Sequence, residues 1–524
     1  MGSPLAQRSV AIIGGLGLAL ALTTSLGALA GLVYQLNPGE NLHLFDDAYL
    51  FKVLAFTVWQ ALISTVLSLL LAFPLARALH ASPYPRLRRL LFSLSLLAFT
   101  LPTLVLVSGL ISLFGQQGLL RNGLRTLLPN WSLYGLDGIL IAHLYLNLPF
   151  AVRVLTLSLD QLPAPASRLA RQMRVNTWQR LRWLEWPHLR GALFGSGCLI
   201  FILCFNSFGV VLTLGGGPAA TTLEVAIYQA LKYHFDLNEA LLLCWLQLVI
   251  VGSCLAWMNR LGKVQWLSRP VHLPPDNRIG GHIAGTLCLL LYGLFLLAPP
   301  LSLLTEVNAS QLTGSVPLSV LKALLNSAVI VLAGTLIALV LGWQLLLIPR
   351  MLRQRTSGLG VGFFEWLSLH LLPLPAMVIC VGWYVILISQ GWFYQLDLLM
   401  LVWINALLVT PFVVTQLKSP LYAFDDQYMR LLQNWRPNLL SRCLLEWKAI
   451  QPQLPALACL ASLLILGDIA VFAIFGTADW ITLPWLIYQY AGSYRLQDAA
   501  LTSLVLLIAS GLLVYRLEGG NRRA

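Results

Sequence analysis

The sequence predicts an all-α integral membrane protein with about twelve transmembrane helices, arranged as two parallel repeats of six. Three observations carry this prediction. Hydrophobic residues make up 58% of the 524 residues and charged residues only 10%. With a mean hydropathy of +0.78, the chain is too apolar and too poor in charge for a water-soluble domain. Apolar runs of about 20 residues, long enough to cross a bilayer, recur from one end of the chain to the other. Short words then recur in the same order in both halves. NLPF at 147–150 returns as VTPF at 409–412, TLEVAIYQ at 222–229 as TLPWLIYQ at 482–489, and LNEA at 237–240 as LQDA at 496–499.

In order, the runs fall at 10–34, 51–79, 90–114, 136–160, 191–214 and 237–259 in the first half. In the second they fall at 283–305, 318–348, 362–388, 396–417, 452–475 and 496–515. The first follows a single basic residue, Arg8, but is longer than a signal-peptide core and is read as a span. The polar, Pro-containing segment 260–282 divides a first half, 1–259, from a second, 283–524. An even number of spans per half makes both copies enter from the same side.

Placing both termini in the cytoplasm puts most of the 33 Lys and Arg on that side and leaves only Arg121, Arg125, Lys232 and Arg495 in outer loops, as the positive-inside rule requires. The net charge of +13 therefore reads as orientation and docking. No soluble basic face exists to bind nucleic acid. The eight Cys are scattered without a C-x-x-C pair, which argues against a zinc site or a disulfide framework and gives no metal site.

The most informative stretch is 162–190, a basic and aromatic segment between two spans, with a counterpart at 420–450. Aligned without gaps, 170–186 falls on 431–447, and Leu184-Glu185-Trp186 meets Leu445-Glu446-Trp447. Spacing predicts a helix from Ser167 or the preceding Pro-rich turn, an interruption at Asn176 and Thr177, and a second short helix capped by Thr177. One such loop alone would equally suit an amphipathic segment resting on anionic headgroups of the bilayer. Its duplication at the same topological place favours docking of a partner. The candidate docking residues are Arg168, Ala170, Arg171, Arg174, Trp178, Leu184, Glu185, Trp186 and Pro187, with Trp435, Arg436, Leu445, Glu446 and Trp447 in the second copy.

These residues carry a resemblance. A loop before the last two spans of each half, ending Leu184-Glu185-Trp186-Pro187, resembles the EAA loop of ABC importer permeases. That pattern is Glu-Ala-Ala, three residues, Gly, nine residues, Ile-x-Leu-Pro. Ala170 stands at the second Ala, and Leu184, Trp186 and Pro187 at Ile, Leu and Pro. Arg168 replaces the usual Glu and Arg174 the usual Gly; Met429 and Trp435 do so in the second copy. The resemblance implies the type I importer permease fold, loop helices that couple to a dimer of cytoplasmic ATPase subunits, and a periplasmic binding protein that delivers substrate. The missing glycines leave the turn geometry open. The stretches 205–231, 467–476 and 482–508 further resemble the permease family of thiamine-importing ABC transporters of Gram-negative inner membranes. The fused ferric-iron permeases share the architecture and remain the alternative.

The remaining motifs are weighed against this. Gly14-Gly15-Leu16-Gly17 lacks the Lys of a phosphate-binding loop and reads as helix packing. ATP and its Mg²⁺ are therefore expected on the partner, with no cofactor and no catalytic residue on this chain. Gly215-Gly216-Gly217-Pro218 reads as an outward turn shaped to meet the binding protein. Asn206 and Ser207 in the fifth span align with the region of Asp468 in the eleventh. They are candidates for the pathway, where a carboxylate would suit a thiazolium cation, or else for hydrogen bonds between helices. Most of the 17 Trp and 16 Tyr read as interfacial anchors. An ion-coupled secondary transporter is the reading from another class, and it would need more acidic residues in the spans than Asp468.

Overall fold

The computed structural model describes residues 4–34, 48–129, 131–261, 283–307, 317–353, 359–372, 374–435 and 439–523, and every regular element among them is a helix. Most of the linker at 260–282 lies outside them. The first half runs α1 Pro4–Tyr34, α2 Ala48–Ala81, α3 Pro85–Phe99, α4 Thr103–Phe114, α5 Arg121–Leu127, α6 Leu136–Asp160, α7 Ala164–Gln172, α8 Thr177–Arg180, α9 Trp186–Phe205, α10 Phe208–Leu214, α11 Leu223–Gln229 and α12 Leu237–Leu261. The second runs α13 Ile283–Glu306, α14 Leu318–Arg353, α15 Leu359–Ser368, α16 Ala376–Ser389, α17 Phe393–Trp435, α18 Leu439–Ile450, α19 Leu454–Leu466, α20 Ala470–Phe475, α21 Leu483–Gly492 and α22 Leu496–Arg523. Among the described residues nine helices are long and apolar enough to cross a membrane alone, and two bent pairs bring the number to eleven. An all-helical fold follows from the medium, since a backbone in lipid must satisfy its own hydrogen bonds.

Several spans expected to be continuous are broken, two of them at a proline. α3 and α4 meet at 104° where Pro102 precedes α4. A proline there has no N–H to give and disfavours helical backbone in the residue before it. In the second half the run 362–388 divides into α15 and α16 in the same way, with Pro375 before α16. The run 191–214 breaks between α9 and α10 at Asn206-Ser207, and 452–475 between α19 and α20 at Gly467-Asp468-Ile469.

The halves are joined by exchange of their first helices. α1 packs on α14 and α16 of the second half, while α13 packs on α4 and α2 of the first. Each crossing rests on a glycine seven residues beyond the proline that opens its helix. A Cβ on Gly109 would stand 2.4 Å from the Pro299 carbonyl oxygen, and one on Gly382 would stand 2.1 Å from that of Ala28. Such approach without side chains is how helices associate in lipid, where burial of apolar surface gives no advantage. Gly14 and Gly17 serve the same end, seating α1 against Leu347, Ile348 and Gln344 of α14.

Candidate functional site: two basic loops and two broken spans

The first basic loop is built as a helix, a turn and a second helix. Pro163 lies between α6 and α7 and Pro165 in the first turn of α7, and α7 ends in a Schellman turn, with the Val175 N–H donating to the Ala170 carbonyl at 3.0 Å. The residue in the left-handed position of that turn is Arg174, φ 52°. Glycine is favoured there because it has no Cβ to clash. Arg174 stands where the importer pattern has its Gly, so the turn survives the substitution and the chain carries the strain. The second helix is capped by Asn176, not by Thr177 as the sequence suggests. The Gln179 N–H donates to Asn176 Oδ1 at 2.8 Å and the Asn176 N–H to Gln179 Oε1 at 3.2 Å, a reciprocal capping box.

Along this loop Arg168, Met173, Arg174, Trp178, Trp183, Trp186 and Pro187 are exposed, Ala170 and Leu184 are half-buried, and the Arg171 side chain lies outside the described residues. Glu185 behaves differently. It is 4% exposed and its carboxylate is held by Arg77 of α2 at 2.9 Å and by Arg180 at 3.0 Å. Glu185 therefore ties the loop to the bundle and does not present its charge outward.

The second loop departs from the first in shape. α17 continues for 43 residues to Trp435, through Pro411 and Pro420 and well past the 417 end read from hydropathy. α18 then leads to Trp447, which is exposed, with Leu445 half-buried. Trp435 closes α17, its side chain outside the described residues, as is Arg436 altogether. Glu446, 1% exposed, repeats the part of Glu185. Arg350 of α14 donates to it at 2.9 and 3.0 Å and holds Asp425 in a fork of two 2.7 Å hydrogen bonds. Trp343 Nε1 adds a further bond to Glu446 at 3.2 Å. In the first half these duties are divided: Arg77 takes Glu185, while His80, at 2.8 Å, and Arg88 take Asp160. Arg350 stands 23 residues after Ser327, as His80 does after Thr57. Those two hydroxyls are themselves equivalent, Thr57 accepting from the Leu223 N–H at 3.0 Å and Ser327 from the Leu483 N–H at 2.9 Å. One arginine thus does in the second half what Arg77, Arg180, Arg88 and His80 share in the first.

At the broken spans, Asn206 and Ser207 are half-buried in the gap before α10. Asn206 Oδ1 accepts from Gln247 Nε2 at 3.0 Å, and the same nitrogen donates to Glu224 at 2.7 Å. Asp468 caps α20, accepting from the Val471 N–H at 3.0 Å, and lines a cavity with Ser327, Asn405, Phe472 and Thr482. Glu224 was not singled out from the sequence. It lies inside the repeated TLEVAIYQ word, and its counterpart in TLPWLIYQ is Pro484, so repetition pointed away from it. Gly216 and Gly217 have φ 71° and 138° and, with Pro218, are exposed in the turn after α10, while Gly215 is buried.

In each half a loop tied to the bundle by a buried glutamate leads into a span broken at a polar residue. Residues 68–262 match the family of binding-protein-dependent transport system inner membrane components. That class works with an ATPase and a substrate-binding protein and is not itself an enzyme. Over nearly its full length the chain is similar to thiamine transport system permease proteins called ThiP. It is 35% identical to that of Escherichia coli over 96% of this chain and 95% of the relative. The identity is 36% to that of Haemophilus influenzae over 90% and 88%, and 34% to that of Brucella abortus over 94% and 92%. The chain belongs to this family of ABC importer permeases and is a multi-span protein of the inner membrane.

Proposed function

We propose that this chain is the translocation pathway of an ATP-driven importer for thiamine or its mono- or pyrophosphate. Substrate passes from a periplasmic binding protein to the cytoplasm by alternating access. The observation that carries the reading is full-length likeness to thiamine permeases, which favours thiamine over ferric iron. Two ATPase subunits, holding ATP and Mg²⁺, engage the exposed faces of the two loops at Arg168, Arg171, Arg174, Trp178 and Trp186, and at Trp435, Arg436 and Trp447. Leu184, Pro187 and Leu445 carry each loop into the bundle, and Glu185 and Glu446 pass its movement to α2 and α14. The chain needs no bound cofactor of its own. Both termini and the 260–282 linker lie in the cytoplasm, and the turn at 215–218 faces the binding protein. The test is uptake of labelled thiamine by bacteria that cannot make it and lack their own permease, given this chain with its cognate ATPase and binding protein. Restored uptake supports the reading; unchanged uptake with the complex assembled contradicts it.

A further inference from the structure

Glu224 and Asp468 come from different halves, on the first turn of α11 and at the α19–α20 break, and the two breaks meet: a Cβ on Gly209, just past Ser207, would stand 3.0 Å from the Ile469 side chain. α16 packs on α11, α12 and α20, so the two carboxyl groups flank the seam between the halves. Among the described residues neither carboxylate has a Lys, Arg or His within ion-pair distance. A carboxylate inside a membrane protein is costly without a counter-charge, and such residues mark substrate paths. Two further groups point the same way. Gln247, 0% exposed, spends its Nε2 on Glu224 and Asn206 and leaves its buried Oε1 without a partner; Thr482, 7% exposed, lines the Asp468 cavity and leaves its Oγ1 unpartnered. The site thus offers hydrogen-bond acceptors and two carboxyl groups, with aromatic rings one helical turn away. Tyr228 follows Glu224 on α11, its ring 5.4 Å from Phe208 and 5.8 Å from Tyr233. Tyr488, the repeat equivalent of Tyr228, lies on α21 with its ring 5.1 Å from Trp485, whose own ring is 5.2 Å from Phe472 of the Asp468 cavity.

We propose that Glu224 and Asp468, with Gln247, Thr482 and the Tyr228–Tyr488 rings, form a site between the halves for a planar organic cation in transit. This rests on the thiamine reading: the permanent positive charge of the thiazolium ring supplies the counter-charge that both carboxylates lack, and ring faces stabilise an aromatic cation further. Glu224 is 1% exposed, so cargo reaches it only as the halves move apart.

The test measures thiamine delivered per ATP hydrolysed, in proteoliposomes holding the whole complex and loaded binding protein. For Glu224→Gln and Asp468→Asn, isosteric and uncharged, this ratio falls about tenfold, and Glu224→Asp restores most of it. A merely structural role lowers transport and hydrolysis together and leaves the ratio unchanged, which overturns the proposal. If Asp468→Asn fails to assemble, Asp468→Ser replaces it, installing the residue that Ser207 already provides at the equivalent break. Absence of thiamine uptake by the unaltered complex refutes the function instead. Normal uptake by the unaltered complex together with an unchanged ratio in the variants refutes only the site.

Discussion

Arg350 is 1% exposed and gives four hydrogen bonds, two to Asp425 and two to Glu446. Replacing it with Leu removes all four bonds, leaving Asp425 without the fork and Glu446 with the Trp343 bond but without its arginine. Breaking a buried ion pair from one side costs about 3–5 kcal/mol, because the abandoned charge stays desolvated. The matched change in the first half, Arg77→Leu, should be far milder. The Arg77 side chain is 30% exposed, Glu185 keeps Arg180, and solvent-reached pairs of this kind contribute about 1 kcal/mol or less. The assay is reversible unfolding of the purified permease in mixed micelles by titration with dodecyl sulfate, followed by circular dichroism. The expected gap between the variants is about 2–4 kcal/mol. Adding Asp425→Asn and Glu446→Gln to Arg350→Leu should recover much of the loss, since no charge is then left stranded. Equal cost for Arg350→Leu and Arg77→Leu, or a cost below about 1 kcal/mol for Arg350→Leu, would refute the reasoning.

Other consequences are equally direct. Arg174→Gly should stabilise the α7 turn by about 1 kcal/mol, seen as slower hydrogen exchange across 164–180, because left-handed backbone is strained for arginine; faster exchange would contradict the turn assignment. Asn176→Ala should cost about 1 kcal/mol in the same measurement, whereas Thr177→Val should cost less, reversing the order the sequence suggested. Gly382→Val and Gly109→Val should each abolish a monodisperse folded peak in detergent gel filtration, since neither backbone can yield to a Cβ at 2.1 and 2.4 Å; normal folding of both would undo the account of how the halves lock together.

The spans, the duplication and the loop were legible in sequence because each rests on a period or a repeated word. What was hidden depends on residues that do not repeat. Glu224 faces a proline across the repeat, and Arg350 carries duties that Arg77, His80 and Arg88 share in the other half. Burial was hidden too. Glu185 and Glu446 sit in the most conspicuous repeated word yet turn inward, and only the partners placed beside them by α2 and α14 reveal it. Hydropathy found where chain lies in lipid but not where it bends, so the breaks at Pro102, Asn206 and Asp468 passed as continuous spans. The loss of glycine at Arg174 was visible, but its outcome was not, since left-handed backbone leaves no mark on composition.

Coupling through the two loops, with thiamine passing through the seam between the halves, has one decisive measurement. It is tested most directly by uptake of radiolabelled thiamine into proteoliposomes containing this chain, its ATPase, ATP and the loaded binding protein, beside the variant Arg174→Asp with Trp435→Asp. Uptake is expected only when all components are present, and the variant should continue to hydrolyse ATP with little uptake. Uptake driven by an ion gradient without ATP, or full uptake by the variant, would contradict it.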